Sequence, residues 1–481
     1  MPVRRLHRRS LMDEVQKRRA LLAIMLSIFL AAMESTVVAT AMPKVVASLG
    51  GIHIYSWVFS GFLLTSTVTM PLWGRLSDLF GRRPTYLAGL TVFLVGSALS
   101  GASQNMAELI AFRMLQGLGA GSLMTIGMTI VGDLFGLERR AKMQGYISGV
   151  WGAASLVGPL LGGLLTDYVS WRWVFYINLP FGAVGMVLIA TALGSEEGPR
   201  RRPAIDYGGL ALFALSVSAL LLGVVEAGRV GAWTRPDVAA ALAVGGLALA
   251  VFVAVERRAR EPIVPLRLFG NRIVLAAIVT GFLAGMAMFG AISFVPLFMQ
   301  AVVGTSATQA GFVLTPFVLG WVALSVLSAR LVLKIGYRTV VAAGMACLTG
   351  AFLLLTRWNV ALSPSEAMRD VLLAGVGMGL NMVPMLIAVQ SSVPRTDLGI
   401  ATSMTQFFRA VGGALGLSVM GAVMTRRLVA GLGMEAALHG AFVVGLVVCI
   451  AALASALLVP AGNARDLARA DMRGEPTRAG G

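Results

Sequence analysis

The chain has 481 residues, of which 57% are hydrophobic and 13% charged, and its mean hydropathy is +0.83. That balance excludes an ordinary soluble domain and points to a polytopic membrane protein. The net charge of +17 would suit a nucleic-acid partner, but of the 39 Lys and Arg about 29 fall on one side of the expected spans and about 8 on the other, with Arg113 and Arg409 inside them; this is the positive-inside asymmetry, and no nucleic-acid partner is expected.

Apolar runs long enough to cross a bilayer occur at about fourteen places: 20–43, 54–73, 85–104, 108–132, 143–166, 173–193, 207–227, 237–255, 273–299, 309–333, 338–356, 367–391, 399–424 and 437–460. An even number puts both termini on one side, the cytoplasmic one by the charge asymmetry. The basic clusters Arg4-Arg5-Leu-His-Arg8-Arg9, Arg200-Arg201-Arg202 and Arg257-Arg258-Ala-Arg260 then read as topology signals facing anionic lipid. The first run is too long for a signal-peptide core and is kept as span 1. Cys347 and Cys449 sit in apolar runs, and His7, His53 and His439 are isolated, so neither a metal site nor a redox centre is expected.

Span 1 carries Glu34, about 21 Å in from Ala20 at helical rise. A carboxylate at that depth is costly unless it faces a bundle interior or a wet cavity. It is either a functional acid or a structural helix-to-helix hydrogen bond. The loop after span 2 reads Gly74-Arg75-Leu-Ser-Asp78-Leu-Phe-Gly81-Arg82-Arg83-Pro84, and span 4 contains Arg113-Met-Leu-Gln116-Gly117-Leu-Gly119-Ala-Gly121. Arg113 starts about 8 Å below the outer end of span 4, within reach of Glu34. Asp133 ends that span at the face where Asp78 and Arg82 lie, so the three are expected to form a charge cluster at the cytoplasmic rim.

Span 5 contains Gly145, Gly149, Gly152, Gly158, Pro159, Gly162 and Gly163. At about 100° per residue, Gly145, Gly149, Gly152, Leu156, Pro159 and Gly163 form a stripe roughly 80° wide, nearly bare of side chains. In lipid such a face is a close-packing surface, and Pro159 should loosen the helix near one end. Spacing alone leaves open whether the face slides during function or is a fixed helix contact.

The loop after span 2 is similar to the signature of the major facilitator superfamily, Gly-x-Leu-x-Asp-x-x-Gly-Arg-Arg/Lys. The Arg113 to Gly121 run matches a second signature, and the Gly158-Pro159 region of span 5 resembles the motif of the superfamily's exporters. The run from Trp171 through Asn178 to Gly182, with the fourteen-span count, resembles its drug:proton antiporters with fourteen spans. The resemblance implies an all-α polytopic membrane protein with a major-facilitator-type fold: two six-helix bundles plus an inserted two-helix hairpin. It implies a cytoplasmic latch of Gly74, Asp78, Gly81, Arg82, Arg83 and Asp133, and proton coupling tuned by Arg113 at Glu34.

The order along the chain fits this plan. Residues 1–194 make the first bundle, 195–272 the linker and two inserted spans, 273–460 the second bundle, and 461–481 a cytoplasmic tail expected to be disordered. A faint repeat supports two halves: Gly74-Arg75-Leu76 and Gly81-Arg82-Arg83 are echoed 255 residues later by Ala329-Arg330-Leu331 and Gly336-Tyr337-Arg338, with Leu333 opposite Asp78. Gly117, Gly119 and Gly121 recur as Gly375, Gly377 and Gly379. In the second half, Asn381 reads as packing glue or a cavity group, and Arg409, about 18 Å in from Asp397, as a cavity residue needing a carboxylate, the carbonyls around Gly412 and Gly413, or water. Met286 and Met288 suit an adaptable cavity wall.

The expected function is proton-coupled export of lipophilic, cationic small molecules by alternating access at the cell membrane. The energy source is the proton gradient, with no cofactor, and the partners are the bilayer, protons and substrate. An exporter of a lipid or a specific metabolite would share every motif. A membrane enzyme would need paired acids or a nucleophile and base within the spans, and none is seen.

Overall fold

The computed structural model describes residues 14–51, 54, 57–193, 206–230, 233–259 and 262–459. The basic stretches at 4–9 and 200–202, with His7, His53, Arg260 and the tail at 461–481, lie outside them. Among the described residues the regular structure is helical: α1 is Glu14–Leu49, α2 Trp57–Phe80, α3 Arg82–Ala102, α4 Met106–Leu134, α5 Leu137–Tyr168, α6 Trp173–Tyr176, α7 Asn178–Ala192 and α8 Tyr207–Val230. Then come α9 Pro236–Glu256, α10 Arg272–Ala301, α11 Ala307–Phe312, α12 Thr315–Ile335, α13 Tyr337–Leu355, α14 Pro364–Ser392, α15 Leu398–Val429 and α16 Met434–Leu457.

Eleven helical segments among the described residues are long and apolar enough to cross a membrane, and α1, bent by 40° between Glu34 and Thr36, makes twelve. Each of the apolar runs read from the sequence falls on a helix. The two helices outside the twelve are α2 and α5, with 24 and 32 residues. Serine and threonine dilute the first.

The chain divides into two compact units: Met1–Gly136, Gly149–Ala204 and Arg395–Ser403 form the first, and Leu137–Ser148, Ile205–Pro394 and Met404–Gly481 the second. In the first, α4 is wedged between α2 and α3. A Cβ on Gly117 or Gly121 would strike the Phe62 or Ser66 carbonyl of α2, and one on Gly119 the Gly89 carbonyl of α3. In the second, α14 is wedged in the same way between α12 and α13: Gly375 and Gly379 meet the Phe317 and Trp321 carbonyls, and Gly377 the Gly344 carbonyl. Each mid-helix glycine costs about 1 kcal/mol of helix propensity, which close backbone packing offsets where water supplies no driving force.

The repeat extends to the turns. Gly81 joins α2 to α3 at φ 96°, and Gly336 joins α12 to α13 at φ 80°. Both lie in the region that a side chain disfavours, so a one-residue reversal needs glycine there. Likewise Asn105 caps α4 by accepting from the Glu108 amide at 2.9 Å, and Ser363 caps α14 by accepting from the Glu366 amide at 3.3 Å. The hairpin α8/α9 belongs to the second unit. It closes on itself at Gly245 against Leu220, and α8 docks on α15 through Gly228 against Ser418 and through Phe213 and Phe407, whose rings are 5.5 Å apart.

Candidate functional site

Glu34, Arg113, Gln116, Asn178 and Ser97 meet inside the first unit, each with at most 1% of its surface exposed. Arg113 Nη1 donates to Glu34 Oε1 and to Gln116 Oε1, the latter at 2.8 Å. Its Nε donates to the Val58 carbonyl at 3.3 Å, and its guanidinium lies 4.1 Å from the centre of the Phe62 ring. Asn178 Nδ2 donates to Glu34 Oε2 at 2.6 Å and to Ser97 Oγ at 2.9 Å. The carboxylate of α1 thus takes its partners from α4 and α7, and α2 and α3 hold those partners through Val58 and Ser97. Asn178 Oδ1 is buried and has no hydrogen-bond partner among the described residues. Glu34 itself has no exposed surface.

A second charged cluster lies at the α2–α3 turn. Asp78 Oδ1 accepts from Arg82 Nη1 at 2.5 Å and from the Gly399 amide at 2.9 Å, and Oδ2 accepts from the Ile400 amide at 2.8 Å. Arg82 also reaches Ser77 Oγ at 2.7 Å and Asp133 Oδ2 at 2.8 Å. The carboxylate therefore holds the N-terminus of α15, where free amides favour an anion. Gly74 and Gly399 let the two helices touch, for a Cβ on either would strike the other's carbonyl. Gly81 supplies the positive φ of the turn. Arg83 is half-buried in the first turn of α3.

The glycines of α5 serve more than one neighbour. Gly145 packs on Val326 of α12, within the second unit. In the first, Gly158 faces Thr36 Oγ1 and Gly162 faces Thr40 Oγ1 and the Val37 carbonyl of α1, whereas Gly163 has open space. The close-packed pair is thus Gly158 and Gly162, off the stripe that runs through Gly163. A helical wheel gives the faces of a helix and not what lies against each. Gly149 and Gly152 are half-buried and buried on α5, and Pro159 lies within the same helix.

In the second unit Arg409 of α15 is half-buried, with Met382 Sδ of α14 3.5 Å from Nη1. Among the described residues neither a carboxylate nor the carbonyls near Gly412 and Gly413 take its hydrogen bonds; Gly412 is packed on the Phe282 carbonyl of α10 and Gly413 on the Phe289 ring. Asn381 is 2% exposed, and its Oδ1 has no hydrogen-bond partner among the described residues. Met286 and Met288 are buried in α10, and Gly416 rests on the backbone of Met286.

Residues 24–417 match the family model of the Major Facilitator Superfamily. The chain belongs to that superfamily. This major facilitator is a multi-pass membrane transporter that handles small-molecule substrates, and not an enzyme. It is 40% identical over 416 residues to the multidrug transporter protein MdtP of Bacillus subtilis (strain 168), covering 86% of this chain and 76% of that protein. It is 36% identical over 404 residues to multidrug resistance protein 3 of the same strain, covering 84% and 79%. The crystal structure of the human organic anion transporter MFSD10 (TETRAN) is similar in fold, with a TM-score of 0.66 at 19% identity over 91% of this chain and 99% of that one.

Sequence reasoning named Glu34 and Arg113 in this transporter but gave no role to Gln116, Ser97 or Asn178. The available signal was that Gln116 is one helical turn from Arg113, and that Asn178 is an amide at the start of an apolar span. It likewise passed over Gly399, Ile400 and Met382, whose contributions are backbone amides and a sulfur that residue type does not advertise.

Proposed function

We propose that this major facilitator is a proton-coupled exporter of lipophilic small molecules, with Glu34 as the coupling acid. The observation that carries the reading is a lone carboxylate, wholly buried, held by one cation and one rotatable amide. When Glu34 is ionised, Arg113 and Asn178 Nδ2 satisfy both oxygens. When it is protonated, Arg113 loses its counter-charge, and a buried cation without a matching anion is expensive. The protonated oxygen then needs an acceptor, and Asn178 Oδ1 becomes one after rotation of the amide, with the Ser97 hydroxyl able to reverse its role. Both charge states thus have a bonding scheme, and the cost on Arg113 supplies the drive for rearrangement.

Export is supported by the names of the two Bacillus subtilis relatives, a multidrug transporter and a multidrug resistance protein. A lipophilic cation is the substrate that would compete with a proton for a carboxylate. Here that carboxylate is matched by Arg113, so cation selectivity requires the pair to part during the cycle. In this reading α2 and α5 are also crossings, so that fourteen spans form two six-span bundles with α8 and α9 inserted, with both termini in the cytoplasm and the protein in the cell membrane. The proton gradient supplies the energy, no cofactor is used and no nucleic acid is bound.

Proteoliposomes with an imposed proton gradient and a panel of fluorescent lipophilic dyes test the reading. Uphill dye movement coupled to proton flux in the parent and its loss in Glu34→Gln are expected. Movement that ignores the gradient would refute coupling.

A further inference from the structure

The charges at membrane depth are unevenly matched. In the first unit Glu34 and Arg113 cancel. In the second, Arg409 has no carboxylate or carbonyl oxygen as partner among the described residues, only the neutral and weakly accepting Met382 sulfur. Its face of α15 is the one packed on α10: Gly412 and Gly416, one and two turns on, meet the Phe282 carbonyl and the Met286 backbone, and Gly285 of α10 meets the Arg409 carbonyl and Cγ. That face is packed on protein, and Arg409 keeps part of its surface exposed. Asn381, next to Met382 in α14, adds a buried amide oxygen without a partner among the described residues. A cation and an amide with unmet hydrogen-bonding capacity thus sit on adjoining helices, among methionines that adapt to varied shapes.

We infer that Arg409 is a substrate-binding residue that takes the carboxylate, or a comparable planar anion, of an otherwise lipophilic compound. A guanidinium fork fits a carboxylate in bidentate fashion, and the pairing is strong where water is scarce. The inference rests on the transport reading for its physiological meaning, but the site stands on the geometry of α10, α14 and α15 alone. It adds an acidic group to a substrate class that the acid of the first unit would have suggested to be purely cationic.

The full-length protein in nonionic detergent is titrated, without any gradient, with a fluorescent aromatic carboxylate, its methyl ester and its cationic aminoethyl ester, and binding is read by fluorescence polarisation. The parent should bind the carboxylate about tenfold more tightly than the methyl ester. Arg409→Gln should bring that ratio to about one, and Arg409→Lys should keep part of it. Met382→Glu, which puts a carboxylate beside Nη1, should also abolish the preference and covers the case in which Arg409→Gln does not fold. A parent ratio of one, a preference for the cationic ester, or a ratio of about ten surviving in a folded Arg409→Gln or Met382→Glu would overturn the inference. Failure of the same dyes to move uphill in proteoliposomes, with the binding ratios as expected, would instead count against the exporter reading.

Discussion

Asn178 Nδ2 bridges Glu34 Oε2 and Ser97 Oγ at 2.6 and 2.9 Å, so the first residue of α7 is hydrogen-bonded to the acid in the bend of α1. Asn178→Leu removes that bridge at similar size and leaves a buried carboxylate oxygen with one donor fewer. Hydrogen bonds to charged groups are worth about 1.5–3 kcal/mol. The variant should reach the membrane, melt at a lower temperature than the parent and lose transport by about tenfold or more. Parent-like melting and transport together would show the bridge to be incidental.

The Asp78 carboxylate is asked to satisfy Arg82 and two amides of α15 at once. Asp78→Asn keeps the shape but loses the charge and one acceptor, so one α15 amide or Arg82 is left short. Breaking a buried pair from one side costs about 3–5 kcal/mol. Transport should fall steeply while substrate binding in detergent stays measurable. Equal transport rates in variant and parent would remove the latch from the account.

Neighbouring glycines of α5 should differ sharply. A methyl on Gly162 would strike Thr40 Oγ1 and the Val37 carbonyl of α1, whereas one on Gly163 meets nothing within 4 Å. Overpacking costs about 1–3 kcal/mol, so Gly162→Ala should lower thermal stability and transport, and Gly163→Ala should leave both near parent values or raise stability slightly through helix propensity. The opposite order would mean that α1 and α5 do not meet as described.

Gly81 and Gly336 make matching single-residue reversals at φ 96° and 80°. Gly81→Ala and Gly336→Ala should each cost about 1–2 kcal/mol from backbone strain alone. Only Gly81→Ala should also impair transport beyond its effect on stability, because only its turn carries an acid bound to another helix; Leu333 stands where the acid would be. Thermal melting and transport measured on both variants separate the two effects.

Much of the architecture was legible as periodicity. Apolar runs located the helices, and the echo of Gly117, Gly119 and Gly121 in Gly375, Gly377 and Gly379 pointed to two related halves, in each of which these glycines wedge one helix between two others. The number of crossings was less legible: α2 is diluted by the serine and threonine residues along it. Depth placed Glu34 and Arg113 within reach of each other, since rise per residue is fixed. Facing was not legible. Gly158 and Gly162 meet α1 while Gly163 meets nothing, and Gly412 and Gly413 are used in packing on α10 and do not serve Arg409. Such choices depend on which helix lies alongside, which one chain's pattern does not encode locally.

The most direct test of the central claim is counterflow and gradient-driven efflux by Glu34→Gln, purified and reconstituted at the parent's density. Glutamine keeps the size and most of the hydrogen bonds to Arg113 and Asn178 but cannot take up and release a proton. Dye exchange down its own gradient should persist at a reduced rate, uphill movement in response to a proton gradient should vanish, and Glu34→Asp, one methylene shorter, should recover part of it. Uphill, proton-driven efflux by Glu34→Gln at the parent rate would contradict the account.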